Sequence, residues 1–286
     1  MRLALLTLLT LIAFASNSLL NRAAVDAGHI DPSSFALMRV VAGALVLGMI
    51  LTVRKSPARL TLWSKKRVPG VLGLSVYMIG FSLAYVSLDA GLGALILFGT
   101  VQVTMFAFTA LRGDRPAPLQ LMGAVIAFFG LTIALWPGEG SLGTPIAGAF
   151  AMVLAGVGWA AYTLVGRGAT DALAETAANF IVSAPLLSIL LLTSNMHASW
   201  EGILLAILCG GLTSGVGYAM WYAVLPMMRA QTAAVLQLSV PLIALGGGAL
   251  LLGEVLNARV LLATVLVISG ILVTVAATRS VPAGRT

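Results

Sequence analysis

Ten mostly apolar stretches follow one another along the chain, at 3–22, 34–53, 68–88, 91–111, 118–137, 145–166, 176–194, 202–225, 231–252 and 257–278. An α-helix rises 1.5 Å per residue, so roughly 20 apolar residues cross the hydrocarbon core of a bilayer, and each stretch meets that length. The breaks carry turn chemistry: Asp31-Pro32, Asp89-Ala90-Gly91, Gly113-Asp114-Arg115-Pro116, Pro137-Gly138 and Gly253-Glu254. The pattern predicts an all-α, polytopic membrane protein of ten transmembrane helices, with no soluble domain between them. Met1-Arg2 followed by Leu3 to Ala15 has the form of a secretory signal, with Ala13-Phe14-Ala15 as a cleavage site. The apolar run nevertheless continues through Leu19 and Leu20 to Arg22, so it reads as the first span.

Composition narrows the class further. Hydrophobic residues make up 60% of the chain and charged residues only 9%, with a mean hydropathy of +1.06. A soluble domain is about 25% charged, so a soluble enzyme, a disordered chain and a collagen-like fibre are all excluded. Sixteen Lys and Arg against nine Asp and Glu give a net charge of +7. Arg54, Lys55, Arg59, Lys65, Lys66 and Arg67 crowd one loop without aromatic interleaving, which points to membrane orientation rather than nucleic acid. With the N-terminus inside, that loop joins Arg2, Arg112, Arg115, Arg167, Arg229, Arg279 and Arg285 on the cytoplasmic side, leaving only Arg22, Arg39 and Arg259 elsewhere. Asp26, Asp31, Asp89, Glu139, Glu201 and Glu254 fall on the opposite side. Both termini are therefore expected in the cytoplasm. Cys209 is the single cysteine, which excludes an intrachain disulfide and a thiolate metal cluster.

The chain also repeats itself. Under a shift of about 140 residues, Gly113-Asp114 falls on Gly253-Glu254, Gly130 on Gly270, and Gly93-Ala94 on Ala233-Ala234. Nearer the start the shift is about 145, where Ala13-Phe14 meets Gly158-Trp159, Asn17 meets Tyr162 and Arg22 meets Arg167. Tyr85-Val86-Ser87-Leu88 similarly aligns with Tyr222-Ala223-Val224-Leu225. Two repeats are expected, 1–138 and 139–286. Each holds five helices, and because five is odd the second copy enters the membrane inverted. Inverted repeats place a substrate site near the bilayer midplane and allow access from alternate sides.

These residues carry a resemblance to the drug/metabolite transporter superfamily, specifically its EamA-type ten-helix carriers, over essentially the whole chain. The second repeat matches better, through Trp159, Ala233-Ala234, Pro241 and Gly253-Glu254. The first departs: Asp114 stands where the family usually has Glu, and Val101 stands at the position equivalent to Pro241. The resemblance implies a bacterial inner-membrane exporter of amino acids or other small metabolites. Within the family the chain is similar to the exporters of aromatic amino acids and paraquat.

Polar side chains inside spans mark the candidate site, because they are costly in lipid and usually face the bundle interior. In the first span Thr7, Thr10, Phe14, Asn17 and Asn21 form one stripe at helical spacing, and the equivalent stripe of the sixth contains Trp159 and Tyr162. Asn17 either binds substrate or serves as interhelical glue; for the threonines, glue is the expectation. Tyr77, Phe81 and Tyr85 share a face of the third span, and Tyr218, Trp221 and Tyr222 a face of the eighth, as packing or as a binding box. Gln102 and Gln237 bring amides into the fourth and ninth spans, and Pro241 frees a carbonyl one turn beyond. Arg39, the one ionisable residue within a span, either binds a substrate carboxylate or snorkels to anchor the rim. Trp136 and Trp200 are assigned to the membrane interface.

Phe14, Asn17, Asn21, Arg39, Tyr77, Phe81, Tyr85, Gln102, Trp159, Tyr162, Tyr218, Tyr222 and Gln237 are thus the expected substrate contacts. No Asp, Glu or His lies near mid-membrane, so a facilitator or weakly coupled exporter is expected. No catalytic motif is present, His29 and His197 fall in loops, and neither a cofactor nor a metal is expected. Gly-rich stretches at 211–217 and 246–248 read as helix-packing surfaces. The expected function is amino-acid export, of aromatic or other apolar species, by alternating access. Drugs, nucleosides or sugars are alternative cargo, and a membrane-embedded enzyme or passive channel are rival classes. The partners are a small-molecule substrate and membrane lipid, with no nucleic acid; oligomeric state is left open.

Overall fold

The computed structural model describes residues 2–54, 62, 64–112, 117–136, 144–166, 169–193, 196–228 and 230–277. Lys55, Arg59, Asp114, Arg115, Glu139, Arg167, Arg229, Arg279 and Arg285 lie outside the described residues, as does the expected boundary between the two repeats. Among the described residues the chain is all-helical, with one isolated bridge between Ile30 and Ala198 and no strand. The helices are α1 (Arg2–Val25), α2 (Pro32–Arg54), α3 (Val68–Ala84), α4 (Ala90–Leu111), α5 (Pro118–Ala134), α6 (Ile146–Gly166), α7 (Ala172–Ser188), α8 (Trp200–Ile207), α9 (Gly217–Val224), α10 (Ala230–Gln237), α11 (Ser239–Leu251) and α12 (Ala258–Ala277). Among the described residues, seven helical segments are long and apolar enough to cross a membrane, and three shorter ones, Val68–Ala84, Pro118–Ala134 and Val235–Leu251, are also apolar.

Burial is arranged for lipid rather than water. Thr7, Thr10, Asn17 and Asn21 of the α1 stripe are buried, while Leu5, Leu8, Leu9 and Ile12 on its other side are exposed. The outward surface elsewhere is built from residues such as Leu45, Val53, Phe129 and Leu250, the last 86% exposed. A continuous apolar exterior around a polar-containing interior is the solution for a multi-pass membrane protein, because polar groups in hydrocarbon must find partners inside the bundle.

The third, eighth and ninth spans depart from unbroken helix, each for a local reason. α3 stops at Ala84 instead of Leu88, and the Tyr85 carbonyl left there accepts from Arg22 Nη1 at 3.1 Å. The expected 202–225 span runs α8 to α9 through a nine-residue π-helix, Leu208–Val216. The 231–252 span breaks at Leu238: Pro241 has no N–H to offer one turn back, and Ser239 Oγ donates to the Leu236 carbonyl at 2.6 Å.

Helices from the first half pack mainly on helices from the second. α3 lies on α6, α5 on α12, α2 on α7 and on the π segment, α4 on α6 and α11, and α1 on α11 and the α8–α9 segment. Two glycine crossings permit close approach of α3 to α6 and of α5 to α12. A Cβ on Gly73 would stand 2.9 Å from the Gly158 carbonyl, and one on Gly123 would stand 2.6 Å from that of Gly270. Backbones meet at both places with no space for a side chain. Gly211 and Gly215 pack on Val46, as a packing role predicts, whereas Gly246 faces open space.

Candidate functional site

Residues from both halves line a narrow central cavity of about 30 Å³. Its lining comes from α1 (Phe14, Asn17, Ser18), α3 (Tyr77, Phe81), α4 (Leu97, Phe98), α6 (Trp159), α9 (Tyr218) and α10 (Gln237). Seven expected contacts therefore meet at one place: Phe14, Asn17, Tyr77, Phe81, Trp159, Tyr218 and Gln237. The cavity is a cage of rings. Trp159 sits 4.8 Å from Tyr77 and stacks on Tyr218 at 5.7 Å, both between centroids. Phe14 lies 5.6 Å from Tyr218 and 5.8 Å from Trp221, and Tyr77 lies 5.3 Å from Phe81. Such walls suit a flat or apolar ligand group.

Asn17 of the cavity lining belongs to a polar network with the π segment. Asn17 Oδ1 accepts from Thr213 Oγ1 at 2.8 Å, Ser214 Oγ at 3.0 Å and the Cys209 thiol at 3.3 Å. The π-helix makes this possible: its wider turn aims Cys209, Thr213 and Ser214 at one acceptor. Asn17 is thus the glue that ties α1 to the π segment, its carbonyl oxygen already committed. Thr213 and Ser214, the polar pair inside an otherwise apolar span, were the signal for this partnership and went unassigned in the sequence. Ser18, Leu97 and Phe98 are further lining residues that the helical stripes did not select.

Arg39 is fully buried, so it does not snorkel to the rim. Its Nε donates to Ser214 Oγ at 3.2 Å and its Nη2 to Tyr77 OH at 3.0 Å. Its guanidinium lies 5.3 Å from the Tyr77 ring centre and 5.0 Å from that of Phe81. The depth that favoured snorkelling in the sequence is overruled by α2 burying this face against α7 and the π segment.

The remaining expected contacts stand apart from the cavity lining. Tyr162 packs on Trp159 at 5.2 Å, and its hydroxyl shares a 2.8 Å hydrogen bond with Thr176 Oγ1. Thr176 Oγ1 in turn donates to Tyr222 OH at 3.1 Å. Tyr85 is fully buried beside Gly93, and its hydroxyl donates to the Ala90 carbonyl. Asn21 donates to Ser82 Oγ at 3.0 Å, and Gln102 is half-buried on α4. These five tyrosine and amide positions do not line this cavity, because helical spacing fixes a face but not depth along the bundle.

Charged residues gather at the two ends. At one, Arg22 lies 2.8 Å from Asp26, 3.6 Å from Asp89 and 4.0 Å from Glu254. Gly253 makes this possible, since its φ of +68° turns the chain after α11 and brings Glu254 to the start of α4. Burial raises the Glu254 carboxyl above its ordinary value, Asp89 adds to the rise, and the Ala90 and Gly91 N–H groups and Arg22 oppose it. At the same end, Asp31 Oδ1 accepts from the backbone N–H of Ser33 and Ser34, at 3.1 and 3.0 Å, and its other oxygen from that of His197. Burial works against the Asp31 anion, but hydrogen bonds from Ser34 and His197 hold its carboxyl below the ordinary value. At the opposite end Arg67 pairs with Glu175 at 2.8 Å and donates to Asn179, and Arg54 lies 3.7 Å from Asp171. The three Arg22 pairs join it to acidic residues that the charge pattern assigned to the side opposite the basic loop. No cluster of three or more His, Cys, Asp or Glu fit to hold a metal occurs among the described residues.

The sequence profile of the EamA-like transporter family matches residues 146–276. An uncharacterized protein of Pseudomonas aeruginosa is 45% identical over 269 residues, spanning 93% of this chain and 92% of its own. An uncharacterized transporter of Archaeoglobus fulgidus is 26% identical over 216 residues, 72% of this chain and 75% of its own. A crystal structure of a protein 16% identical shares the fold across 97% of this chain and 99% of that one, with a TM-score of 0.66.

Proposed function

The chain belongs to the EamA-like transporter family of the drug/metabolite transporter superfamily, and on that premise we propose that it exports amino acids, aromatic or other apolar ones, across the bacterial inner membrane. The carrier consists of two inverted five-helix repeats, about residues 1–138 and 139–286, works by alternating access, and keeps both termini in the cytoplasm.

One observation carries this reading: the main contacts between the two halves survive their exchange. With α1–α5 exchanged for α6, α7, α8–α9, α10–α11 and α12, α3 on α6 becomes α8–α9 on α1. By the same exchange α4 on α6 becomes α11 on α1, and α2 on the α8–π segment becomes α7 on α3. The α2–α7, α4–α11 and α5–α12 contacts map onto themselves. Six of the ten lining residues pair under the same exchange, Phe14 with Trp159, Phe81 with Tyr218 and Leu97 with Gln237. A site shared by two pseudo-symmetric halves supports rocking of one against the other around a fixed substrate.

The aromatic cage supports a flat or apolar side chain as cargo. The sidedness of the basic residues supports cytoplasmic termini. The lining holds no acidic residue or histidine, which supports transport that follows the substrate gradient rather than a proton.

The test is exchange in proteoliposomes preloaded with unlabelled amino acids, each labelled amino acid being offered in turn. Saturable, competable exchange of an aromatic or apolar subset is expected. Exchange of no amino acid by folded protein removes this cargo and leaves drugs, nucleosides and sugars; linear, non-exchanging flux identifies a channel.

A further inference from the structure

Arg39 combines three properties that a structural arginine does not need. It is fully buried, it has no carboxylate within ion-pair distance among the described residues, and its Nη1 has no hydrogen-bond partner. A guanidinium stays charged at any working pH. Taking such a charge out of water without an anion costs several kcal/mol, which paired arginines such as Arg22 and Arg67 largely recover. The side chains around its guanidinium, Ser214, Tyr77 and the Cys209 thiol, carry no carboxylate, and the rings beside it, Tyr77 and Phe81, are cavity walls. The positive charge therefore stands one ring behind a cavity lined by no acid.

We propose that Arg39, acting with the Tyr77 hydroxyl, is the receptor for a carboxylate on the transported molecule, so that the carrier selects aromatic or apolar acids over the corresponding amines and esters. The inference rests on the carrier reading above and names the substrate group that reading leaves open. Tyr77 OH accepts from Arg39 Nη2 and so keeps its own proton to donate. That proton and Arg39 Nη1–H can give a carboxylate two donors, one of them charged. The apolar remainder of the molecule then lies in the cage of Trp159, Phe14 and Tyr218. Asn17 is not needed for the head group, its oxygen being committed to the π segment.

The experiment uses the purified full-length protein and four probes: phenylalanine, 3-phenylpropionate, methyl 3-phenylpropionate and 2-phenylethylamine. Affinity is read from the rise in unfolding temperature with probe concentration. The two carboxylates are expected to bind tighter than the ester and the amine by roughly tenfold or more, the usual worth of a hydrogen bond to a charged group. Arg39→Met abolishes the preference while unfolding no earlier than wild type, because it removes an unpaired buried charge. If that variant does not fold, Arg39→Lys supplies the test, with weakened acid binding and unchanged ester binding.

Equal binding of acids and esters, binding of none, or a preference that survives in Arg39→Met overturns the proposal. Amino-acid exchange in proteoliposomes is read separately. Carboxylate-selective binding without such exchange sinks the amino-acid cargo and leaves the receptor standing; exchange without carboxylate selectivity does the reverse.

Discussion

The Glu254 carboxylate lies 4.0 Å from the Arg22 guanidinium while it accepts from the backbone N–H of Ala90, the first residue of α4. One side chain from the α11–α12 turn thus holds the ends of α1 and α4 together, drawing on an opposite charge and on the positive end of a helix. Burial still leaves its carboxyl raised above the ordinary value. A carboxyl raised on folding stabilises the protein below its unfolded pKa of about 4.3 and loses that contribution as pH rises through the folded value. Thermal unfolding across that window should show stability falling with pH in the wild type, and Glu254→Gln should flatten the slope. Equal slopes would place the titration elsewhere.

Asp31 behaves with the opposite sign. Its carboxylate closes the start of α2 through Ser33 and Ser34 and ties it to the His197 loop, which holds its pKa down. Its contribution is present above about pH 4 and is lost as pH falls through the depressed value. Asp31→Ala should cost about 1–2 kcal/mol near neutrality, measured by chemical or thermal unfolding, with the deficit shrinking in acid. A deficit constant with pH would mean that the charge is not the source.

Gly73 and Gly158 set the distance between α3 and α6. Each would direct a Cβ at the other's carbonyl, at 2.9 and 2.7 Å, with backbone rather than a flexible side chain in the way. Gly73→Ala should therefore destabilise by roughly 1–3 kcal/mol and displace the Tyr77 and Trp159 rings, which ride on the same two helices. Gly246→Ala, with nothing within 4 Å, is the control and should unfold like wild type. Two equal unfolding temperatures would remove the contact from the account.

The succession of apolar helices and the inward stripe of α1 were legible because a bilayer imposes one strong rule, polar inside and apolar outside, on every helix. Seven cavity residues were legible for the same reason. Depth was not: Tyr85 and Tyr77 share a face of the chain after residue 68, yet one reaches the cavity and the other is sealed against Gly93. Periodicity also cannot signal a π-helix, in which Thr213 and Ser214 turn towards Asn17 together. Arg39 illustrates a further limit. Its position along α2 allowed snorkelling, and only the packing of α7 and the π segment around α2 closes that route.

Tyr85 and Trp159 separate packing from recognition, and alanine at each should fail differently. Tyr85 is fully buried, with its ring 4.8 Å from Phe81 and its hydroxyl on the Ala90 carbonyl. Truncation leaves a void that fixed helices cannot fill, so Tyr85→Ala should cost about 3–5 kcal/mol and reduce the yield of folded carrier. Whatever protein folds should keep the wild-type order of substrates, since this ring does not line the cavity. Trp159 is half-buried and stands between Tyr77 and Tyr218 across the cage. Trp159→Ala enlarges a space that already exists, so most of its cost appears in the ligand rather than in the fold. Competition in proteoliposomes should show weaker discrimination of aromatic over aliphatic cargo in Trp159→Ala, with unfolding temperature lowered less than in Tyr85→Ala. Reversal of the two phenotypes would move the binding wall from α6 to the far end of α3.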